Sequence, residues 1–153
     1  MSEYLMDVLS HGGGGYCCSQ IIIRMGLEAQ GEENPALVRA MAGLCHGVGA
    51  RGGSCGALTG GACLLGLYAG KGKDDEQEND AFALMLSELS DWFDEFVGKA
   101  YGGTDCSSIV GEGPPDMQVC GNIVGETYGK VLEILVSHGI DPSESRDSDD
   151  YGL

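Results

Sequence analysis

Residues 52–61 read Gly-Gly-Ser-Cys-Gly-Ala-Leu-Thr-Gly-Gly and open the longest uncharged stretch of the chain, which runs from Gly52 to Gly70. A stretch so free of charge belongs in an interior, yet its first turn carries a cysteine and almost no other side chain. Ser54 as a cap would place Cys55 at the positive end of a helix. Gly56 and Gly60 then leave one side of the opening turn as bare backbone. Glycine inside a helix costs about 1 kcal/mol relative to alanine, so the arrangement needs a compensating gain. Close approach is that gain: another helix, or an inorganic cofactor, can come nearer to backbone than to side chains. The stretch is shorter than a usual membrane span and contains Gly56, Gly60, Gly61, Gly66 and Gly70, so it reads as a buried central helix without membrane insertion.

Helical spacing continues on both sides of it. Ile21, Ile22 and Met25 follow Cys18 at +3, +4 and +7, which predicts a helix starting near Tyr16. Asn34-Pro35 is a cap followed by a first-turn proline, and Leu37, Val38, Met41, Leu44 and Cys45 keep the spacing up to Gly47. Phe82, Met85, Leu86, Leu89, Trp92, Phe93, Phe96 and Val97 form the apolar stripe of a long amphipathic helix. A last helix is expected after Pro114-Pro115-Asp116, with Cys120, Ile123, Val124, Thr127, Val131, Ile134 and Leu135 along one face. Strand alternation is absent, so the fold class is all-α: a compact multi-helix bundle around the glycine-rich central helix.

The chain has 153 residues and 42% hydrophobic content, enough for one core. We read a single domain over 1–140 and an acidic, flexible tail over 141–153. Twenty-four acidic residues against eight basic ones give a net charge of -16, a field that repels phosphate backbones and anionic membrane surfaces. Nucleic acid is therefore set aside as a partner. Nine carboxylates lie between Asp74 and Glu95 without a Lys or Arg among them, a solvated face that keeps the protein soluble. The N-terminal residues carry neither a basic nor an apolar export segment, and the expected compartment is the cytoplasm.

Seven cysteines, an odd number at irregular spacing, do not suggest a structural disulfide framework in a chain of this length. Four of them fall near expected helix N-termini: Cys18 after Gly12–Gly15, Cys55 after Ser54, Cys106 after Thr104-Asp105, and Cys120 one turn after Pro115-Asp116. At such a position unpaired N–H groups and the helix dipole favour thiolate, lowering a thiol pKa. Each also shares a face with apolar residues, as Cys106 does with Ile109 and Val110, so the four should point inward. Cys45, near a helix C-terminus, and Cys63, in mid-helix, read as small core residues. Cys17 should flank the core face, because its i+4 neighbour is Ile21 and its i+7 neighbour is Arg24. A vicinal Cys17–Cys18 disulfide would need a strained turn that a helix start does not supply.

Cys18 in YCCSQ, the CGALTG of Cys55 to Gly60, Cys106 in GGTDCSSIVG and Cys120 in VCGNIVGE together resemble the C_GCAxxG_C_C family of redox-active proteins, over about Tyr16 to Val136. That family is similar to the helical domain of split-Soret cytochromes, which carry haem and an iron–sulfur pocket. The resemblance implies redox chemistry at Cys18, Cys55, Cys106 and Cys120, supported by Gly56, Gly60 and Ser54. Selenoprotein members imply direct thiol chemistry instead. A c-type haem does not transfer, because Cys45-His46 has Ala42 where Cys-x-x-Cys-His needs its other cysteine.

Other motifs carry less. Gly47-Val48-Gly49-Ala50-Arg51-Gly52 matches a dinucleotide fingerprint, but residues 37–45 have helical spacing where that motif needs a strand. Structural zinc favours paired Cys-x-x-Cys turns, of which there are none. His11, His46 and His138 have no evident catalytic partner in sequence and read as solvated or loop residues. Two functions from different classes remain. In one, the four cysteines ligate a 2Fe-2S or 4Fe-4S cluster in an electron carrier or sensor. In the other, Cys55 attacks a disulfide and another of the four resolves it, as in a thiol oxidoreductase. A helical interaction module without redox chemistry is the third reading. A redox partner protein is implied but not identified, and bare glycine faces are compatible with a homodimer.

Overall fold

The computed structural model describes residues 1–146. Its helices are α1 (Leu5–Gly13), α2 (Cys18–Gln30), α3 (Pro35–Met41), α4 (Gly56–Ala69), α5 (Phe82–Phe93), α6 (Cys106–Val110) and α7 (Met117–Ser137). A 3-10 turn, Ala42–Leu44, follows α3, and a π turn, Asp94–Gly98, extends α5 towards Lys99–Tyr101. Among the described residues there is no strand, only an isolated bridge between Ser54 and Asp105. The bundle is all-α, as the spacing implied.

Local chemistry sets most helix starts. The Asn34 side chain accepts from the Leu37 N–H at 3.1 Å with Pro35 in the first turn, and Asp116 accepts from the Gln118 N–H at 2.9 Å. Asp105 accepts from the Ser108 N–H at 3.1 Å to start α6. At the other end of α2, Gly31 takes φ 70° and closes the helix with N–H bonds to the Glu28 and Leu27 carbonyls.

The central helix α4 is covered by α2, α5 and α7. A Cβ at Gly60 would meet Ile22 Cγ2 at 2.5 Å and Ser19 Cα at 3.0 Å, so α2 lies directly on this backbone. From another side, a Cβ at Gly61 would meet Thr127 of α7 at 3.1 Å and Leu89 of α5 at 3.3 Å. Ile21, Ile22 and Ile23 are all buried, so α2 packs over a wide arc while Gln20, Arg24 and Glu28 keep its remaining face towards solvent, and Met85, Leu89, Phe93 and Val97 carry the buried stripe of α5 through its π turn. Burying such side chains contributes about 1.5–3 kcal/mol each relative to exposure, before chain entropy is charged against it.

Three expectations are corrected. The sequence reading places no helix before Tyr16, yet α1 forms: Leu5, Val8 and Leu9 share a face that tertiary contact holds, with Leu5 against Gly121 of α7 and the Tyr4 and Tyr128 rings edge to face at 4.9 Å. The helix after Pro35 does not reach Gly47, because Cys45 is extended (ψ 141°) and His46, Gly47 and Val48 turn left-handed at φ 55°, 61° and 60°. Ser54 does not cap α4; it is exposed and engaged in the bridge to Asp105, and Cys55 itself occupies the N-cap. Of the tail read over 141–153, residues 141–146 are tied to the bundle. Tyr68 donates to the Pro142 carbonyl at 2.7 Å, and the Arg146 guanidinium donates to the Gly70 and Gln77 carbonyls. Residues 147–153 lie outside the described residues. Among the described residues no helix is long and apolar enough to cross a membrane.

Candidate redox site

Four helix starts face one cavity. Cys18 is the first residue of α2, Cys55 the N-cap of α4, Cys106 the first residue of α6, and Cys120 lies in the first turn of α7. All four line a single cavity of about 260 Å³, whose walls include Val8, Ile21, Ile109, Val110 and Ile123. A space of this size is several times the volume of about 30 Å³ that one water occupies in the liquid. All four are free, half-buried thiols.

Backbone contacts explain the convergence. The Cys55 N–H donates to the Thr104 carbonyl at 2.9 Å and the Cys106 N–H donates to the Gly53 carbonyl at 3.0 Å, so two antiparallel segments hold Cys55 beside Cys106. Gly47 sits under them: a Cβ there would meet the Gly53 carbonyl at 2.7 Å and Cys106 Cβ at 2.9 Å, and its φ is left-handed. Cys18 reaches Cys55 across Gly56, whose missing side chain leaves room for the Cys18 sulfur. The gain that balances the glycines of α4 is therefore helix packing, with a sulfur set into it.

The electrostatics oppose the acid thiols expected from helix position. Burial raises the Cys55 pKa to about 12, with the charges of Cys18 and Cys120 adding to the rise, although the Ala57 and Leu58 N–H groups favour its thiolate. Cys120 is raised to about 11 by burial and then by Cys18, Cys106 and Asp116. Burial also raises Cys18, against hydrogen bonds from the Ser19 and His46 N–H groups. At Cys106 burial again raises the pKa, with Arg51 lowering it and Asp105 raising it. At Cys18 and Cys55 desolvation outweighs the N–H donors of the helix start. The four sulfurs also sense one another, so each thiolate makes the next costlier until a cation offsets them.

The remaining cysteines differ from expectation. Cys17 and Cys45 form a disulfide, with Cα atoms 5.9 Å apart and a sequence separation of 28. Neither a free Cys17 nor a core Cys45 describes the protein, because the break after Leu44 swings Cys45 onto the N-cap of α2. Cys63 is exposed rather than in the core, since it lies on the side of α4 that its neighbours leave least covered. An uncharged helix offers no polar face to mark that side. His46 and Arg51, not singled out in the sequence as site residues, also line the cavity. The Arg51 guanidinium donates to the Gly111 and Gly113 carbonyls at 3.0 and 2.8 Å, pinning the loop between α6 and α7. His11 and His138 are instead paired with Glu28 and Glu88, at 3.4 and 3.2 Å, between helices.

Among the described residues no three His, Cys, Asp or Glu side chains are gathered tightly enough to hold one metal ion. A family profile described as "Putative redox-active protein (C_GCAxxG_C_C)" matches residues 16–134, most of the chain and all of the cavity's cysteines. No curated protein and no solved structure matches the chain.

Proposed function

The chain belongs to the C_GCAxxG_C_C family of redox-active proteins, and from that premise we propose that Cys18, Cys55, Cys106 and Cys120 hold an iron–sulfur cluster in an electron carrier or redox sensor. The observation that carries this reading is the placement of four free thiols, from four helix starts, on one largely apolar cavity. Ligands of a polynuclear cluster are spread over its several irons, so a set too dispersed for a single ion still suits a cluster. Bound there, the group supplies one-electron transfer.

The protein's own contribution is electrostatic. With no cation present the thiols resist ionisation, as the values of about 12 and 11 for Cys55 and Cys120 express. Ligation deprotonates a thiol outright and removes that penalty. The N–H groups of Ala57 and Leu58 at Cys55, and of Ser19 and His46 at Cys18, then donate to sulfurs that carry charge. Such donors tune a cluster's potential. The apolar walls limit water.

The same values weigh against Cys55 as the nucleophile of a thiol oxidoreductase, since a thiol raised to about 12 is almost wholly protonated at neutral pH. The test is anaerobic purification from iron-replete cells, followed by an absorption spectrum with iron and acid-labile sulfide assays. Brown protein with iron and sulfide in similar amounts, bleached by Cys55→Ala, supports the cluster. Colourless, iron-free protein in which Cys55 itself cycles between thiol and disulfide overturns it in favour of the oxidoreductase.

A further inference from the structure

Ser19 is one of few fully buried polar residues in the bundle, and its hydroxyl has a single proton. That proton is committed: Ser19 Oγ donates to the Met41 carbonyl at 2.8 Å. The same oxygen lies 3.3 Å from Cys17 Sγ and 3.6 Å from Cys45 Sγ. In the disulfide neither sulfur carries a hydrogen, so the two lone pairs of a buried oxygen face two atoms that cannot donate to them. Once the bond is reduced, each sulfur becomes an S–H donor within reach of that acceptor. The pocket is better satisfied by the dithiol than by the disulfide it encloses.

We propose that Cys17–Cys45 is a second redox centre of this protein, a reversible disulfide–dithiol couple exchanging with an external dithiol, in which Ser19 Oγ is the positioning acceptor for the reduced thiols. It is separate from the four-cysteine set and does not depend on a cluster being bound there. Cys45 is half-buried and is followed by the exposed left-handed turn at His46 and Val48, so an incoming thiolate approaches Cys45 from that side. Cys17, the N-cap of α2, is the sulfur that leaves. The attacking thiolate bonds to Cys45 Sγ as the Cys17–Cys45 bond breaks. The reductant's second thiolate then displaces Cys45 and closes the reductant's own disulfide. Two electrons pass to the protein, and the two protons of the dithiol end on Cys17 and Cys45.

The same displacement matters for the cavity, because Cys17 lines it and Cys18 follows directly. Reduction cuts the tether between the turn after Cys45 and the start of α2, leaving Ser19 and the Gln20 side chain, which bonds the Cys17 N–H at 3.2 Å and the Val38 carbonyl at 3.1 Å, to hold the α2 start in place.

The full-length protein is equilibrated with graded ratios of reduced to oxidised dithiothreitol, acid-quenched, and read by differential alkylation and mass spectrometry, with far-ultraviolet circular dichroism in parallel. Cys17 and Cys45 should become reduced together, in one reversible two-electron transition, with helical signal unchanged. Ser19→Ala should move the half-reduction ratio by about threefold to tenfold towards stronger reductant, since the reduced state loses its acceptor. Reduction only where the helical signal is lost, or a Ser19→Ala midpoint equal to wild type, overturns the proposal. Should Ser19→Ala not fold, the infrared S–H stretch of reduced wild type reads the same bonds. In the wild-type minus Cys45→Ser difference spectrum, a band at lower frequency than a free thiol supports the acceptor role, and a difference band at the free-thiol position refutes it.

Discussion

The sulfur of Cys18 lies where a side chain at position 56 would be: a Cβ built on Gly56 runs into Cys18 Sγ and comes within 3.3 Å of the Ser19 nitrogen. One missing methyl group thus sets how near the first residue of α2 comes to the start of α4. Gly56→Ala should destabilise the protein by about 1–3 kcal/mol through overpacking and displace Cys18. Gly66→Ala, on the same helix, meets only Phe82 Cζ at 3.6 Å and should stabilise by up to about 1 kcal/mol through helix propensity. Thermal or denaturant unfolding of both variants measures the contrast, and equal effects would remove the steric account of Gly56.

The raised thiol pKa values make the cofactor-free, reduced protein alkali-sensitive. Cys55 and Cys120 move from a reference of 9.0 to about 12 and about 11 on folding, so the native state keeps protons that the unfolded chain loses. Their contribution to stability is complete below pH 9 and is lost as the pH rises towards 11 and 12. Denaturant midpoints between pH 8 and 11 should fall, and the slope should lessen in Cys55→Ser, whose hydroxyl does not titrate there. A midpoint independent of pH over this range would contradict the burial of these thiols.

Cysteine substitutions should separate three classes. Cys63→Ala, on an exposed side chain, should change stability by less than about 0.5 kcal/mol and leave any redox signal intact. Cys45→Ala should cost about 2–4 kcal/mol under oxidising conditions, where it removes a cross-link, and much less in reductant. Cys55→Ala should abolish the visible cluster absorption and leave the Cys17–Cys45 couple in place. Unfolding curves with and without reductant, alongside the visible spectrum, sort all three.

Val48 holds φ 60° with a β-branched side chain that is 66% exposed. The left-handed region costs such a residue about 1–2 kcal/mol, and asparagine tolerates it far better. Val48→Asn should therefore stabilise the protein by about 1 kcal/mol in chemical denaturation, and a loss of stability would mean that the valine makes a contact that outweighs its backbone.

The pinning of the α6–α7 loop is testable in the same way. Arg51→Ala removes both bonds to the Gly111 and Gly113 carbonyls and the cation that moderates Cys106. Amide exchange over residues 108–116 should quicken, stability should fall by about 1–2 kcal/mol, and alkylation of Cys106 should need higher pH than in wild type. Unchanged exchange in that segment would show that the loop is held by other contacts.

Much of the fold was legible because helix starts are local events. Asn34 with Pro35, and Asp105 and Asp116 three or fewer residues from the N–H groups they accept, announce α3, α6 and α7 within single turns. The 3.6-residue period of Ile123, Val124, Thr127 and Val131 named the inward face of α7 correctly, since that helix has a polar side to contrast with it. The uncharged α4 has no such contrast, and Cys63 was misplaced for that reason. Short α1 was missed because what holds it is the surface of α7, more than 100 residues away.

By itself the sequence determined that the chain is a helical bundle with a glycine-rich centre and four cysteines at helix starts, because capping, periodicity and propensity act among neighbours a few residues apart. Tertiary structure alone decided what those cysteines are. Whether a helix start or burial governs a thiol depends on how much water the whole bundle excludes, and here burial prevails at Cys55. Whether Cys45 packs or pairs depends on a left-handed turn that brings it to Cys17 across 28 residues. Solvation and long-range closure are properties of the completed packing, so local spacing carries no record of them.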